Sequence, residues 1–126
     1  MSSDPVVLDS DTLSELSRGN PPAVARARRY LATHGRLTFT VVTVFERLRG
    51  YRLALREGKP YDAQLRQFQA LVAASNVLPL DAPSAERAAQ LWAVLAVRRR
   101  KAIGDLLIAA IASANGLGIV TRNRRD

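Results

Sequence analysis

Short apolar runs alternate along the chain with longer segments in which apolar residues recur every three or four positions. The short runs are rich in Val, Ile, Thr and Phe and predict buried strands at residues 6–8, 37–42, 77–80 and 117–121. The longer segments predict amphipathic helices. Strands that alternate with helices indicate an α/β fold, a three-layer sandwich with a mostly parallel, short-stranded sheet flanked by helices.

The helices between these strands are bounded by capping residues, prolines and glycines. They are predicted at about 10–19, 20–35, 43–58, 62–74, 84–96 and 103–114. Leu31, Tyr51 and Trp92 lie on apolar stripes of these helices, and we expect all three side chains in the core.

Length and composition limit the chemistry that is available. The 126 residues suit a single domain spanning 1–126, without an internal repeat or linker. There is no Cys and only one His, His34, so thiolate catalysis, disulfides and a Cys- or His-rich zinc site are excluded. No apolar run approaches the length of a membrane span, and the N-terminus does not resemble a signal peptide. We therefore expect a cytoplasmic protein.

The charge balance favours a polyanionic partner, which could be RNA, DNA or an acidic protein. Nineteen Lys and Arg residues against eleven acidic ones give a formal charge of +8. The basic residues cluster at Arg26, Arg28 and Arg29, at Arg98, Arg99, Arg100 and Lys101, and at Arg122, Arg124 and Arg125. The last two clusters flank acidic positions in the sequence and are candidates for RNA binding. Each cluster could equally be a solvated helix face, or at 98–101 a favourable helix C-terminus.

Three of the few carboxylates, those of Asp9, Glu46 and Asp105, lie within or against apolar segments. A carboxylate buried among apolar side chains is costly unless it is paired or binds a metal.

The positions of these acids and of Asn123 indicate where they could meet. Asp9 directly follows a predicted strand, Asn123 follows another, and Glu46 and Asp105 fall in the first turns of helices. Because ligands bind beyond the carboxyl ends of parallel strands, all four side chains could face one rim. Oxygen ligands of this kind suit Mg²⁺ or Mn²⁺, which can activate a water and stabilise phosphoryl charge.

Simpler roles are open for each acidic residue. Asp9 and Asp11 could cap the following helix, and the helix dipole alone favours Asp105 near a helix start. Glu46 falls about 160° from the main apolar stripe of its helix and could face solvent. Its own face carries Gly50 and Leu53, however, which suggests that this side is also covered. Such a second apolar face would need a partner, and a symmetric homodimer is the commonest solution.

The order of four motifs resembles the PIN-domain ribonucleases, and especially the VapC-like toxins of type II toxin–antitoxin systems. The matching segments are 7–13 (VLDSDTL), 40–50 (TVVTVFERLRG), 103–110 (IGDLLIAA) and 116–126 (GLGIVTRNRRD). They span nearly the whole chain in the family's order. The family often places two more residues between its Ile-Gly and its Asp, so the third motif is a shortened form.

The resemblance implies a metal-dependent endoribonuclease in which Asp9, Glu46 and Asp105 bind Mg²⁺ or Mn²⁺. Asn123 matches a fourth catalytic position, where Asp or Asn occurs, and Asp126 matches a common nearby acid. The implied reaction is cleavage of single-stranded RNA by a metal-activated water. The implied partners are a second copy of the chain and a VapB-like antitoxin that covers the active-site groove. Family members usually continue with Phe and a final strand, so either the edge after Asp126 is truncated or this member lacks it.

Two other functions are open on the sequence. Residues 9–13 nearly reproduce the nucleophile loop of haloacid-dehalogenase-like phosphatases, and Gly104-Asp105 resembles their late metal motif. The glycine expected after Asp11 is missing, however, and Ala109 stands where a second acid is expected. A non-catalytic PIN-like module that binds RNA or protein is the other alternative.

Overall fold

The structure is a computed structural model that describes residues 4–95 and 102–120. The strands are β1 (Val6–Leu8), β2 (Thr38–Thr40), β3 (Asn76–Leu78) and β4 (Gly118–Val120). The helices are α1 (Ser10–Ser17), α2 (Pro21–His34), α3 (Val41–Arg56), α4 (Asp62–Ala73), α5 (Ala82–Val94) and α6 (Ile103–Ala114). Strands and helices alternate in the predicted order.

All strand pairs in the described part of the chain are parallel. β1 pairs with β4, with Val6 opposite Gly118, and β2 pairs with β3, with Thr38 opposite Asn76. β1 also lies beside β2, which places the two pairs next to each other. The parallel arrangement brings the carboxyl ends of the strands to one edge, as the sequence predicted.

Two apolar clusters lie on opposite faces of the strands. Val7 packs with Ile108 and Ala112 of α6, whereas its neighbour Leu8 packs against the cluster formed with α1, α3 and α4. Successive side chains of a strand point to opposite faces, so β1 and β3 each contribute to both clusters. The result is helices, strands and helices in three layers, which confirms the predicted α/β sandwich.

Among the element boundaries that differ from the predicted ones, two are set by a capping residue. β2 ends at Thr40 instead of residue 42, because the Thr40 side chain accepts a hydrogen bond of 3.2 Å from the Thr43 amide and caps α3. Glu46 therefore lies in the second turn of α3 and not in the first. α5 begins at Ala82, two residues before the predicted start, because Asp81 accepts a bond of 3.0 Å from the Ser84 amide.

The core contains Tyr51 but not the other two side chains predicted with it. Tyr51 packs against the cluster around Phe68, as expected. Trp92 is 42% exposed and Leu31 is 39% exposed, so the prediction that both are buried was wrong. Among the described positions of the apolar stripe predicted for α5, only Ala88 is buried. Within residues 4–95 and 102–120, no helix has the length and apolar character needed to cross a membrane.

Candidate metal centre

Asp9 is held where β1 ends and α1 begins. Its backbone amide donates a hydrogen bond of 3.1 Å to the Val120 carbonyl at the end of β4. Its side chain accepts a bond of 2.8 Å from the Thr12 amide, so Asp9 is the N-cap of α1. The capping role proposed for Asp9 is thus confirmed. Capping engages only Oδ1, and a carboxylate has further acceptor capacity for a second ligand.

Glu46 is half-buried and turned towards two other segments of the chain. Its Oε1 accepts a hydrogen bond of 2.6 Å from the Ser10 hydroxyl at the start of α1. On its other side it lies against Gly104, where an added Cβ would stand 3.2 Å from Glu46 Cδ and overlap Oε2. The interpretation that Glu46 faces open solvent was therefore wrong. Only glycine at position 104 leaves the carboxylate this room.

Asp105 follows Gly104 in the first turn of α6 and is largely exposed. Partial burial raises the pKa of the Asp105 carboxyl, and the negative charges of Glu46, Asp9 and Asp11 raise this pKa further, in that order. Glu46 lies against Gly104, the residue before Asp105, so the carboxylates of Glu46 and Asp105 are close enough to repel each other. Segments far apart in the sequence thus bring their acidic side chains to one rim.

The donor chemistry of this rim fits a hard divalent cation. Within the described residues, no group of three or more acidic or His side chains is already arranged to share one ion. Mg²⁺, however, needs only one or two carboxylates and completes its shell with waters. A divalent cation relieves the repulsion between neighbouring carboxylates, such as the repulsion of Asp105 by Glu46. The residues therefore fit Mg²⁺ or Mn²⁺.

Several predicted site residues lie outside the described part of the chain. They are Asn123, Asp126, Arg98, Arg99, Arg100, Lys101, Arg122, Arg124 and Arg125. The third basic cluster is described and lies on α2, where Arg26, Arg28 and Arg29 are exposed. Arg26 and Arg29 line a separate cavity of about 410 Å³ between α1, α2 and β1. This cluster does not belong to the acidic rim.

Sequence reasoning missed the roles of Ser10, Arg47 and Gly104. Ser10 was considered only as part of a helix start, yet it orients Glu46. Arg47 donates hydrogen bonds to the hydroxyls of Ser14, Ser17 and Tyr51 and thereby joins α1 to α3. Gly104 could have been noticed in the sequence, because it lies in the first turn of a predicted helix, where the backbone does not require glycine. Such a glycine indicates a close approach of another group.

The sequence matches the model of the PIN domain over residues 6–125. The chain therefore belongs to the PIN-domain family. No curated protein sequence gives a significant match.

Solved structures with a similar fold include toxin–antitoxin complexes. One is a DNA-bound VapBC from Salmonella typhimurium, with a TM-score of 0.80 and 23% identity, covering 98% of this chain and 89% of that one. FitAcB from Neisseria gonorrhoeae has a TM-score of 0.70 and 27% identity, covering 94% and 87%. VapBC2 from Rickettsia felis, bound to a promoter DNA fragment, has a TM-score of 0.73 and 15% identity, covering 95% and 88%.

Proposed function

We propose that this PIN domain is a Mg²⁺- or Mn²⁺-dependent endoribonuclease and the toxin of a toxin–antitoxin pair. The observation that carries the proposal is the position of Glu46, which accepts a hydrogen bond from Ser10, the neighbour of Asp9, and lies against Gly104, the neighbour of Asp105. Carboxylates that lie close together repel one another, and such clusters are typical of binding and catalytic sites. PIN domains generally use divalent metals.

Asp9, Glu46 and Asp105 would hold the metal, with Asn123 as a further ligand or catalytic group. When bound, the ion supplies an activated water and stabilises charge on the phosphodiester. Ser10 fixes the carboxylate plane of Glu46 through its hydrogen bond of 2.6 Å. The Thr12 amide does the same for Asp9 at 2.8 Å. Hydrogen bonds of this kind orient metal ligands and strengthen binding.

Substrate recruitment is assigned to the basic residues near the acidic motifs. A net charge of +8 favours binding of a polyanion through phosphate contacts that release counterions. We assign this role to Arg98–Lys101 and Arg122–Arg125, which flank the metal-binding motifs in the sequence. Single-stranded RNA is the proposed substrate, and the cytoplasm is the proposed compartment.

A VapB-like antitoxin and a second copy of the chain are the proposed protein partners. The antitoxin proposal is supported by the fold similarity to toxin–antitoxin complexes. The homodimer proposal is supported by α3, where Phe45 is 61% exposed and Leu53 is 57% exposed. Large apolar side chains exposed on one helix are typical of a protein interface.

The test is cleavage of single-stranded RNA with Mg²⁺, Mn²⁺ or EDTA. We expect cleavage only with metal, and loss of cleavage in Asp9→Asn and Asp105→Asn. Glu86→Gln on the exposed surface of α5 is the matched control and should retain activity. RNA binding without cleavage in either metal would indicate a non-catalytic module. Metal-dependent hydrolysis of p-nitrophenyl phosphate instead of RNA would indicate the phosphatase.

A further inference from the structure

A cleft of about 470 Å³ extends along α3 from the candidate metal centre. Glu46 lines one end, and Lys59 and Tyr61, in the connection between α3 and α4, line the other. The part of α3 between Glu46 and Glu57 is about 16 Å long. The cleft is therefore continuous with the acidic rim and reaches well beyond it.

Gly50 lies in the middle of α3 and lines this cleft. A glycine inside a helix costs stability relative to alanine. Its φ is not positive, and an added Cβ would have no neighbour within 4 Å. Neither the backbone nor the packing of the described chain requires glycine here. A bare backbone in a cleft allows close approach of a ligand.

Arg47 brings a partly buried positive charge to the same cleft. Its guanidinium donates hydrogen bonds to Ser17 Oγ at 3.1 Å and to the Tyr51 hydroxyl at 2.5 Å. It also lies 5.5 Å from the ring centroid of Phe68. Together with a bond to the Ser14 hydroxyl, these hydrogen bonds go to neutral hydroxyl groups. A guanidinium that donates to neutral hydroxyls retains its charge for an anion such as a phosphate.

Tyr61 and Lys59 provide an aromatic ring and a second cation at the far end. Tyr61 is 38% exposed, and its ring centroid lies 6.3 Å from that of Tyr51. Lys59 forms an ion pair of 3.3 Å with Glu57, but both side chains are more than half exposed. Exposed pairs of this kind are weak, so Lys59 can exchange Glu57 for a phosphate. An aromatic ring beside cations is the usual arrangement for single-stranded nucleic acid.

We infer that this cleft binds a nucleotide of single-stranded RNA that flanks the cleaved bond. The base stacks on Tyr61, and the phosphate passes over Gly50 between Arg47 and Lys59. The inference rests on the proposed function, because the Glu46 end of the cleft belongs to the candidate metal centre. It adds a substrate contact on α3 to the basic clusters proposed from the sequence.

Fluorescence anisotropy of a labelled single-stranded uridine oligoribonucleotide in EDTA tests this subsite without cleavage. Tyr61→Ala should weaken binding by about 5- to 150-fold, the usual effect of losing one stacked base. Tyr61→Phe keeps the ring and should restore binding. Gly50→Ala should raise the melting temperature, because alanine favours the helix, and should nevertheless weaken binding. A stabilised variant that loses affinity cannot be explained by a folding defect.

The outcomes separate the subsite from the nuclease function. If the wild type cleaves RNA but Tyr61→Ala and Gly50→Ala bind the oligoribonucleotide normally, the subsite is wrong and the proposed function stands. If both variants lose binding while the wild type cleaves nothing in Mg²⁺ or Mn²⁺, the subsite stands and the nuclease function fails. If Gly50→Ala instead converts a dimer into a monomer in sedimentation, the cleft belongs to a second copy and the inference is overturned.

Discussion

The hydroxyl of Ser10 donates a hydrogen bond of 2.6 Å to Oε1 of Glu46 and thereby joins the start of α1 to the second turn of α3. The two residues are 36 positions apart in the chain. The bond occupies one carboxylate oxygen and leaves Oε2 beside Gly104 of α6. Three helices thus fix the position of a single carboxylate.

Ser10→Ala should weaken metal binding more than it weakens folding. Loss of a hydrogen bond that orients a ligand typically lowers metal affinity by about 10- to 100-fold. Unfolding free energy should fall by about 1 kcal/mol, the value of an ordinary partly exposed hydrogen bond. Calorimetric titration with Mn²⁺ and urea denaturation measure the two effects. Ser10→Thr keeps a hydroxyl and is the control; equal Mn²⁺ affinity in Ser10→Ala and the wild type would contradict this role.

Gly104→Ala should reduce RNA cleavage while leaving the fold stable. The new Cβ would overlap Oε2 of Glu46, and the flexible carboxylate can move away at little cost. A displacement of about 1 Å in a catalytic group can lower the rate about 100-fold. Alanine also favours the helix, so the melting temperature should hold or rise. Gly116→Ala cannot serve as the control for a glycine-to-alanine change, because Gly116 has a φ of 68°, which alanine rarely adopts. Full activity in Gly104→Ala would show that the Glu46 position is not critical.

Asp9→Asn and Asp105→Asn should each abolish Mn²⁺ binding without destabilising the metal-free protein. Asparagine caps helices as well as aspartate does, so Asp9→Asn retains the bond to the Thr12 amide and removes only the charge. Removing one of several mutually repelling carboxylates should make the metal-free variants as stable as the wild type or more stable. Calorimetry and thermal unfolding in EDTA test the two effects. Unchanged Mn²⁺ affinity in both variants would remove these residues from the metal site.

The stability of the metal-free protein should depend on pH through Asp105. Its pKa is raised above the ordinary value of 3.8, so the folded state binds this proton more tightly than the unfolded state does. The stabilising contribution is complete below pH 3.8 and is lost as the pH rises through the raised pKa. Asp105→Asn should therefore gain stability relative to the wild type as pH rises across this range. Urea midpoints in EDTA at a series of pH values, compared between the two proteins, measure the difference. A constant difference would contradict the shift.

The wild type should form a dimer of twice the 13.8 kDa chain mass at micromolar concentration. Leu53→Glu should convert it into a monomer with an intact fold, because an unpaired charge in an interface core is costly. Leu53 also lines the proposed RNA cleft, whereas Phe45 does not. Phe45→Glu therefore tests the part of α3 that lies outside the cleft. Light scattering measures the mass, and Leu80→Glu, also at an exposed apolar position, is the control. A monomeric wild type would exclude this interface.

The order of the elements could be predicted from the sequence because each element carries its own local signal. Short apolar runs marked the strands, and apolar residues at every third or fourth position marked the helices. The position of Asp9 also followed, because a residue after a parallel strand must lie at the carboxyl edge. Local patterns are sufficient for such features.

The surroundings of Glu46 could not be predicted, because they depend on other segments. A helical projection of α3 describes only the angle of Glu46 relative to its own helix, and Ser10 and Gly104 come from elsewhere in the chain. The start of α3 was missed for a related reason. Val41 and Val42 favour strands by propensity, and the capping bond from the Thr40 side chain outweighs that preference.

The pairing of β1 with β4 affects how the protein is made. The backbone of Asp9 is fixed by a bond to Val120, so the acidic rim is incomplete until β4 has joined β1. A ribosome adds about 5–20 residues per second, so β1 leaves it seconds before β4 is synthesised. A nascent chain therefore carries no assembled rim before β4 has been synthesised and has paired with β1. During that interval, we expect the translating ribosome, itself largely RNA, to be spared by the chain that it is producing.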